Sequence, residues 1–169
     1  EQALNRRRPA SLLLEDVALF CKYFTQRVKQ FLIDVPNDWG MIYLGGQHLH
    51  TKKHTPKEVV PGIFQPWNVN RTHAFALRGQ LMKKVYKHLN SQDWNRGQHI
   101  DHHLGRLHQR RADPIYCPAE WMVGQAEGKS TISGKQRPLV FWPPAEEIAR
   151  KDPKGKPFVA VLGLHSSGS

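Results

Sequence analysis

The hydrophobic pattern changes its period twice between residues 11 and 44, and this constrains the fold more than any other feature. Ser11–Leu14 is a short apolar run ending in the acids Glu15-Asp16, a pattern typical of a buried parallel strand. Apolar residues then recur at helical spacing over residues 17–33. Gly40–Leu44 is a second apolar run. Strand, helix and strand in about 35 residues predict a βαβ unit, and so an α/β domain with a mostly parallel sheet flanked by helices.

The same patterns predict the elements that follow. Residues 47–70 show no clear periodicity and contain three prolines and three histidines, so we expect a long functional or mobile loop there. Short strands are predicted at residues 72–77, 115–117 and 121–123. Helices are predicted at residues 79–89, 98–111 and 145–151, and residues 124–134 are expected to form a loop.

The charge balance favours anionic partners. Lysine and arginine total 25 against 14 acids, a formal net charge of +11, which suits nucleotides, sugar phosphates, nucleic acid or lipid headgroups. The basic residues are scattered and have no interleaved stacking aromatics, so nucleic acid is not the favoured partner. No run reaches the roughly 18 apolar residues of a membrane helix. We therefore expect no transmembrane segment and at most a peripheral contact with a membrane. Two cysteines, Cys21 and Cys117, indicate a reducing compartment, and we expect a cytoplasmic location.

The acids Glu15 and Asp16 are the first candidates for a site. Ligands of open α/β sheets bind beyond the carboxyl ends of strands, and carboxylate oxygens are the ligands that Mg²⁺ and Mn²⁺ prefer. Asp16 ranks above Glu15 as a metal ligand. The alternative is that Asp16 caps a helix that begins at Val17.

The histidines between residues 99 and 108 do not predict a zinc site. His99 and His103 share a helix face, but the H-E-x-x-H arrangement is absent and neither cysteine lies in a ligand pair.

Four blocks between Ser11 and Gly134 carry a resemblance to the family 25 glycosyltransferases, which include lipopolysaccharide sugar transferases and procollagen galactosyltransferases. The first block is the strand and acids of residues 12–20, and the second is residues 36–45, similar to the family's P-x-D-W-D-x-x-Y-L-G. The third is residues 72–77, similar to T-x-A-Y-x-I. The fourth is Asp101 to Leu104, then Pro118, Gln125 and residues 130–132, similar to D-x-x-L … P … Q … S-x-I. Together the blocks span about three-quarters of the chain.

The resemblance implies a partial GT-A-like domain that uses a nucleotide-sugar donor, Mn²⁺ or Mg²⁺, and a glycan or lipid-linked acceptor. It implies Asp101 and Glu15 as catalytic residues, Asp16 and Glu15 as metal ligands, and a donor pocket lined by Asp16, Thr72, His73 and Gln125. Asp101 suits a general base near the acceptor, and its alternative is a solvated helix acid paired with histidines. Members of the family carry Glu-Asp-Asp where this chain has Leu14-Glu15-Asp16. We therefore expect the C-terminal portion of such a domain, whose activity in isolation is an open question.

The C-terminal residues suggest a second unit. Residues 158–162 read as a strand, and the following Gly163, His165, Ser166, Ser167 and Gly168 resemble the start of the phosphate-binding loop of P-loop sulfotransferases. The expected organisation is a transferase-like domain at residues 1–134, a linker at 135–156 and the truncated start of a sulfotransferase domain at 157–169. Two alternatives remain: a non-catalytic basic module that binds an anionic polymer, and the front portion of a sulfotransferase fusion.

Overall fold

A six-stranded mixed sheet runs through the computed structural model, which describes residues 9–91, 99–129 and 134–151. The helices are α1 (Phe24–Asp34), α2 (Gly79–Asn90), α3 (Ile100–His108) and α4 (Ala145–Arg150). The sheet strands are β1 (Ala10–Leu14), β3 (Met41–His48), β4 (Lys57–Val60), β5 (Ile63–Gln65), β6 (Val69–Arg78) and β7 (Ile115–Pro118). The short strands β2 (Ala18–Phe20), β8 (Val123–Gln125), β9 (Gly128–Lys129) and β10 (Gln136–Arg137) form two separate ladders, β2–β8 and β9–β10.

The sheet order is β1-β6-β3-β7-β5-β4, and the prediction of a mostly parallel sheet is wrong. Of the ladders in this sheet only β3–β7 is parallel; β6 runs antiparallel to both of its neighbours, β1 and β3. The chain therefore has the predicted α/β class. However, β6 lies between β1 and β3, the two strands of the expected βαβ unit. The physical reason is that antiparallel strands need no crossover helix between them, so β6 can pair with β3 after the β4–β5 hairpin without one.

Strand β1 lies at one edge of the sheet and is not the buried strand that its sequence predicts. Among the described strands it pairs with β6 alone, from Ala10 opposite Arg78 to Leu14 opposite Ala74. Leu12, Leu13 and Leu14 are 53%, 42% and 45% exposed. A short apolar run does not distinguish a central strand from an edge strand, which explains the error.

Alternating side chains of the central strands form two cores, one on each face of the sheet. On β3, Met41 and Tyr43 belong to one core, whereas Ile42 and Leu44 belong to the other. The first core is completed by residues of α2, α3 and α4: Leu81, Met82, Val85, Leu104 and Ala145. The second core is completed by Phe31 of α1 and by Val35, Met122 and Val123. Helices cover both faces because both faces of β3 and β6 are apolar.

The first helix is shorter than its periodicity predicts. The chain turns after Glu15, with the Ala18 amide donating to the Glu15 carbonyl at 3.0 Å, and then enters β2. Strand β2 pairs with β8, so this segment is held by tertiary contacts in place of the predicted helix. Helix α1 begins only at Phe24. The interpretation of Asp16 as a helix cap is therefore wrong.

The segment predicted as a long loop contains regular structure. Strands β4 and β5 form a hairpin in which Val60 pairs with Ile63, and β6 already begins at Val69. Gly62 in the hairpin turn has a φ of +77°, which glycine adopts without strain. These strands are only four and three residues long, too short to give the sequence a clear periodicity.

The segment assigned to a linker contributes to the first core. Ala145 is fully buried there, and the Glu146 amide donates to the Ala119 carbonyl at 3.2 Å. Residues 157–169, with the phosphate-loop candidates Gly163, His165, Ser166, Ser167 and Gly168, lie outside the described residues. None of the helices in the described ranges has the length and apolar content that a bilayer crossing requires.

Candidate functional site

A bulge in β6 gathers most of the polar groups that the sequence singles out. Opposite β3, Ala74 pairs with Gly45 and Asn70 pairs with Gln47, so one intervening residue on β3 faces three on β6. Arg71, within the bulge, has a φ of +78°, which is rare for a residue with a side chain. Bulges re-aim side chains, and strained backbone is concentrated at binding and catalytic sites. The bulge presents Arg71, Thr72 and His73.

Glu15 joins the bulge from the end of β1. Its Oε1 accepts a hydrogen bond of 2.5 Å from the Thr72 hydroxyl, and its amide donates to the His73 carbonyl at 3.0 Å. Both the backbone and the side chain of Glu15 are therefore fixed relative to β6. The carboxylate itself is on the exposed surface, open to a ligand.

Asp101 joins the bulge from the first turn of α3. Its Oδ2 lies 3.4 Å from the Arg71 amide, and its Oδ1 accepts a hydrogen bond of 2.9 Å from the His102 amide. Two backbone donors thus orient this carboxylate at the positive end of a helix. We call Glu15, Arg71, Thr72, His73 and Asp101 the bulge cluster. Adjacent residues of β6 contact two acids that are far apart in the sequence.

His73 is the buried member of the bulge cluster. Its Nε2 lies 3.2 Å from the Val123 carbonyl, which requires the proton on Nε2. Burial lowers the pKa of this imidazole; the Val123 hydrogen bond and the nearby Glu15 oppose that shift, and Arg71 adds to it. At neutral pH His73 is a neutral side chain that links β6 to β8.

Arg71 is a site residue that sequence reasoning missed. Its Nε donates to Gln47 Oε1 at 3.4 Å, and its guanidinium carbon lies 5.1 Å from the centroid of a Trp142 ring. The Trp142 ring also lies 5.6 Å from His73. The signal for Trp142 was an aromatic pair, Phe141-Trp142, inside a polar and proline-rich segment. No sequence signal indicates Arg71, because the bulge depends on pairing with β3.

The remaining candidates lie near the bulge cluster without joining it. Asp16 is exposed in the turn after β1, and within the described residues its carboxylate makes no hydrogen bond. Gln125 ends β8, two residues beyond Val123, and its backbone pairs with Val140 through bonds of 2.9 and 3.0 Å. Three or more His, Cys, Asp or Glu side chains that could together hold a metal are not found in the described ranges.

A network of buried polar side chains lies near the Asp101 carboxylate of the bulge cluster. The Tyr43 hydroxyl is 3.2 Å from Nε2 of His108, whose Nδ1 accepts from the Val69 amide at 3.4 Å. Burial raises the Tyr43 pKa well above its usual value, and the nearby Asp101 carboxylate adds to the increase. Burial lowers the pKa of His48 to about 3. Burial, with a contribution from His48, also lowers the pKa of His108 to about 3. These rings are neutral structural groups at physiological pH.

Two surface pockets differ in their relation to the bulge cluster. One, of about 440 Å³, lies at the start of α2, where Arg78 stacks on Trp39 and Lys84 pairs with Asp113 at 2.6 Å. The other, of about 330 Å³, is lined by Trp142, the ring that Arg71 faces. Of these two pockets, the second therefore shares a residue, Trp142, with the contacts of the bulge cluster.

Comparison of the chain with protein-family models, with curated proteins and with solved structures finds no match.

Proposed function

We propose that this chain is a GT-A-like glycosyltransferase domain that transfers a sugar from a nucleotide-sugar donor to a glycan or lipid-linked acceptor. The observation that carries the proposal is that Asp101 and Glu15 accept hydrogen bonds from two neighbouring residues of the β6 bulge, Arg71 and Thr72. Sugar transfer needs carboxylates beside the reacting groups and positive charge beside the diphosphate. Glu15, Asp101 and the guanidinium of Arg71 supply both.

In this proposal Glu15 and Asp16 hold Mn²⁺ or Mg²⁺ with the phosphates of the donor. The pair fits such an ion because Mg²⁺ is commonly bound through one or two carboxylates plus substrate phosphates, and both side chains are exposed. A bound cation would stabilise negative charge on the departing diphosphate. Thr72 keeps the Glu15 carboxylate in place, with the hydroxyl 2.5 Å from Oε1.

Asp101 is the proposed acceptor-side carboxylate. It would take up the proton that the acceptor hydroxyl loses during transfer. Its two backbone donors, the amides of Arg71 and His102, set its orientation. Thr72, His73 and Gln125 are proposed to line the donor pocket.

Calorimetric titration with UDP-glucose and UDP-galactose, with and without Mn²⁺, tests the proposal. We expect Mn²⁺-dependent binding of at least one donor and its loss in Asp16→Ala. Asp34→Ala is the matched control, since Asp34 is an exposed acid at the end of α1 whose carboxylate accepts hydrogen bonds from Gln30 of the same helix. Absence of cation-dependent binding, or binding unchanged in Asp16→Ala, argues against the transferase.

The net charge of +11 supports a second candidate, a basic module that binds an anionic polymer. Such binding is dominated by released counterions, so its affinity falls steeply as salt rises. Titration with random-sequence DNA at two salt concentrations separates the candidates. Strong salt-dependent binding without donor binding would favour the basic module.

A further inference from the structure

The pocket of about 330 Å³ beside the bulge cluster has an aromatic lining. Trp121, Phe141 and Trp142 contribute rings, Pro143 adds an apolar edge, and Glu120 and Glu147 add carboxylates. Its volume lies at the lower end of the roughly 300–1,000 Å³ of small-molecule sites. A pocket of this size suits one ring-sized ligand.

The walls of the pocket are fixed by contacts elsewhere in the chain. The Phe141 ring lies against Gly124 so closely that a Cβ there would fall 2.6 Å from it. The preceding residue, Val140, is bonded to Gln125 of β8 in both directions. Ala145, just beyond the pocket, is fully buried in the first core. The pocket is therefore preorganised, which lowers the entropic cost of binding.

The charges at the pocket favour a neutral ligand. Glu120 pairs with Arg27 at 3.2 Å, and Glu147 pairs with Lys151 at 2.5 Å, so each carboxylate already has a cation from its own chain. None of the described residues that line the pocket is a lysine or arginine, so a phosphate would find no partner. Carboxylate oxygens still accept hydrogen bonds from hydroxyl groups, and ring faces contact apolar C–H surfaces.

We propose that this pocket binds a neutral pyranose ring, with C–H groups against Phe141 and Trp142 and hydroxyls on Glu120 and Glu147. Trp142 connects the pocket to the bulge cluster, since its ring faces Arg71 and His73. If the proposed transferase function holds, the pocket is a subsite for the acceptor glycan; that role rests on the proposed function. Sugar binding itself does not depend on it.

Titration with methyl pyranosides, followed by NMR of the tryptophan indole N–H groups, tests the proposal. The probes are the methyl glycosides of glucose, galactose, mannose and N-acetylglucosamine, added without nucleotide or metal. We expect at least one to shift the Trp142 or Trp121 signal in a saturable manner. Phe141→Ala should weaken that binding by roughly 3- to 10-fold, since one aromatic face is lost. Tyr86→Ala is the matched control, because Tyr86 on α2 is 39% exposed, close to the 40% of Phe141.

Two results would overturn the proposal: no saturable shift with any of the four glycosides, or a shift that Phe141→Ala and Tyr86→Ala affect equally. Tetramethylammonium chloride is a further probe. Its binding with loss in Phe141→Ala, in the absence of sugar binding, would assign the pocket to cations and also overturn the proposal. Sugar binding without UDP-sugar binding would support the pyranose site and contradict the transferase function. The failure of one proposal can therefore be distinguished from the failure of the other.

Discussion

The Thr72 hydroxyl donates a hydrogen bond of 2.5 Å to Glu15, across 57 residues of sequence. This bond joins the end of the edge strand β1 to the bulge of β6. Because Glu15 is otherwise exposed, Thr72 is the side chain that orients its carboxylate.

Replacing Thr72 with valine should weaken Mn²⁺-dependent binding of UDP-glucose or UDP-galactose. The change keeps the shape of the side chain and removes the donor, so we expect a loss of roughly 3- to 10-fold in affinity, as for one hydrogen bond. Calorimetry measures the effect. Thr25→Val, at an exposed threonine of α1, is the control. Equal affinities for the two variants would mean that Thr72 does not position Glu15 for the donor.

The Arg71→Gly variant should be more stable than the Arg71→Ala variant. Both substitutions remove the guanidinium, but only alanine keeps the strain of a φ of +78°. We expect Arg71→Gly to exceed Arg71→Ala by about 1 kcal/mol in the free energy of unfolding, measured with urea. At Lys83, exposed within α2, the order should reverse, because glycine costs about 1 kcal/mol in a helix. The same order at both positions would contradict a strained Arg71.

The free energy of unfolding should fall as the pH drops from about 6.5 towards 3. Burial lowers the pKa of His48 and His108 from 6.5 to about 3, so the folded chain keeps these rings neutral while the unfolded chain protonates them. Acid therefore favours the unfolded state, by about 1.4 kcal/mol per pH unit for each ring. His48→Leu should reduce the slope between pH 4 and 6 by about that amount. An unchanged slope in His48→Leu, measured by urea unfolding across this pH range, would contradict a buried neutral His48.

A side chain at position 45 should disrupt the packing of β3 against Val123 and His73. A Cβ there would overlap the Val123 carbonyl and Nε2 of His73. We expect Gly45→Ala to lower the free energy of unfolding by about 1–3 kcal/mol, as overpacking does. Among the described residues, chain neighbours aside, none has an atom within 4 Å of a Cβ built at Gly128, so Gly128→Ala should change stability by less than about 0.5 kcal/mol. Similar losses in both variants would show that close packing at Gly45 is not what matters.

Local patterns in the sequence predicted the elements that are amphipathic over several turns or fully buried. Helix α2 begins at Gly79 as predicted, and strand β7 begins at Ile115 as predicted. What the sequence did not reveal is the order of the strands. The position of β6 between β1 and β3 depends on pairing between residues such as Leu13 and Phe75, which no local pattern records.

The residues of the candidate site also fall into two groups, those that local sequence patterns or the resemblance indicated and those that were missed. Glu15 is an acid at the end of a predicted strand and Asp101 was identified through the family resemblance, and the structure brings both to the bulge. Arg71 and Trp142 were missed. Arg71 is placed by a register shift between two strands, and Trp142 lies in a segment interpreted as a linker. Both positions depend on long-range packing.

The order of the strands also governs how fast the chain can fold. Leu14 pairs with Ala74 and Met41 pairs with Ile115, so the β1–β6 and β3–β7 ladders close loops of some sixty to seventy-five residues. The entropy of such closures is lost before the strands gain their contacts, and proteins dominated by non-local pairing fold in milliseconds to seconds. Helix α2 and the β4–β5 hairpin are local and can form first. The β3–β6 ladder closes a shorter loop than the β1–β6 ladder, so we expect β1 to dock after β6 has paired with β3. Leu12, Leu13 and Leu14 are then among the last apolar residues to find a partner during refolding.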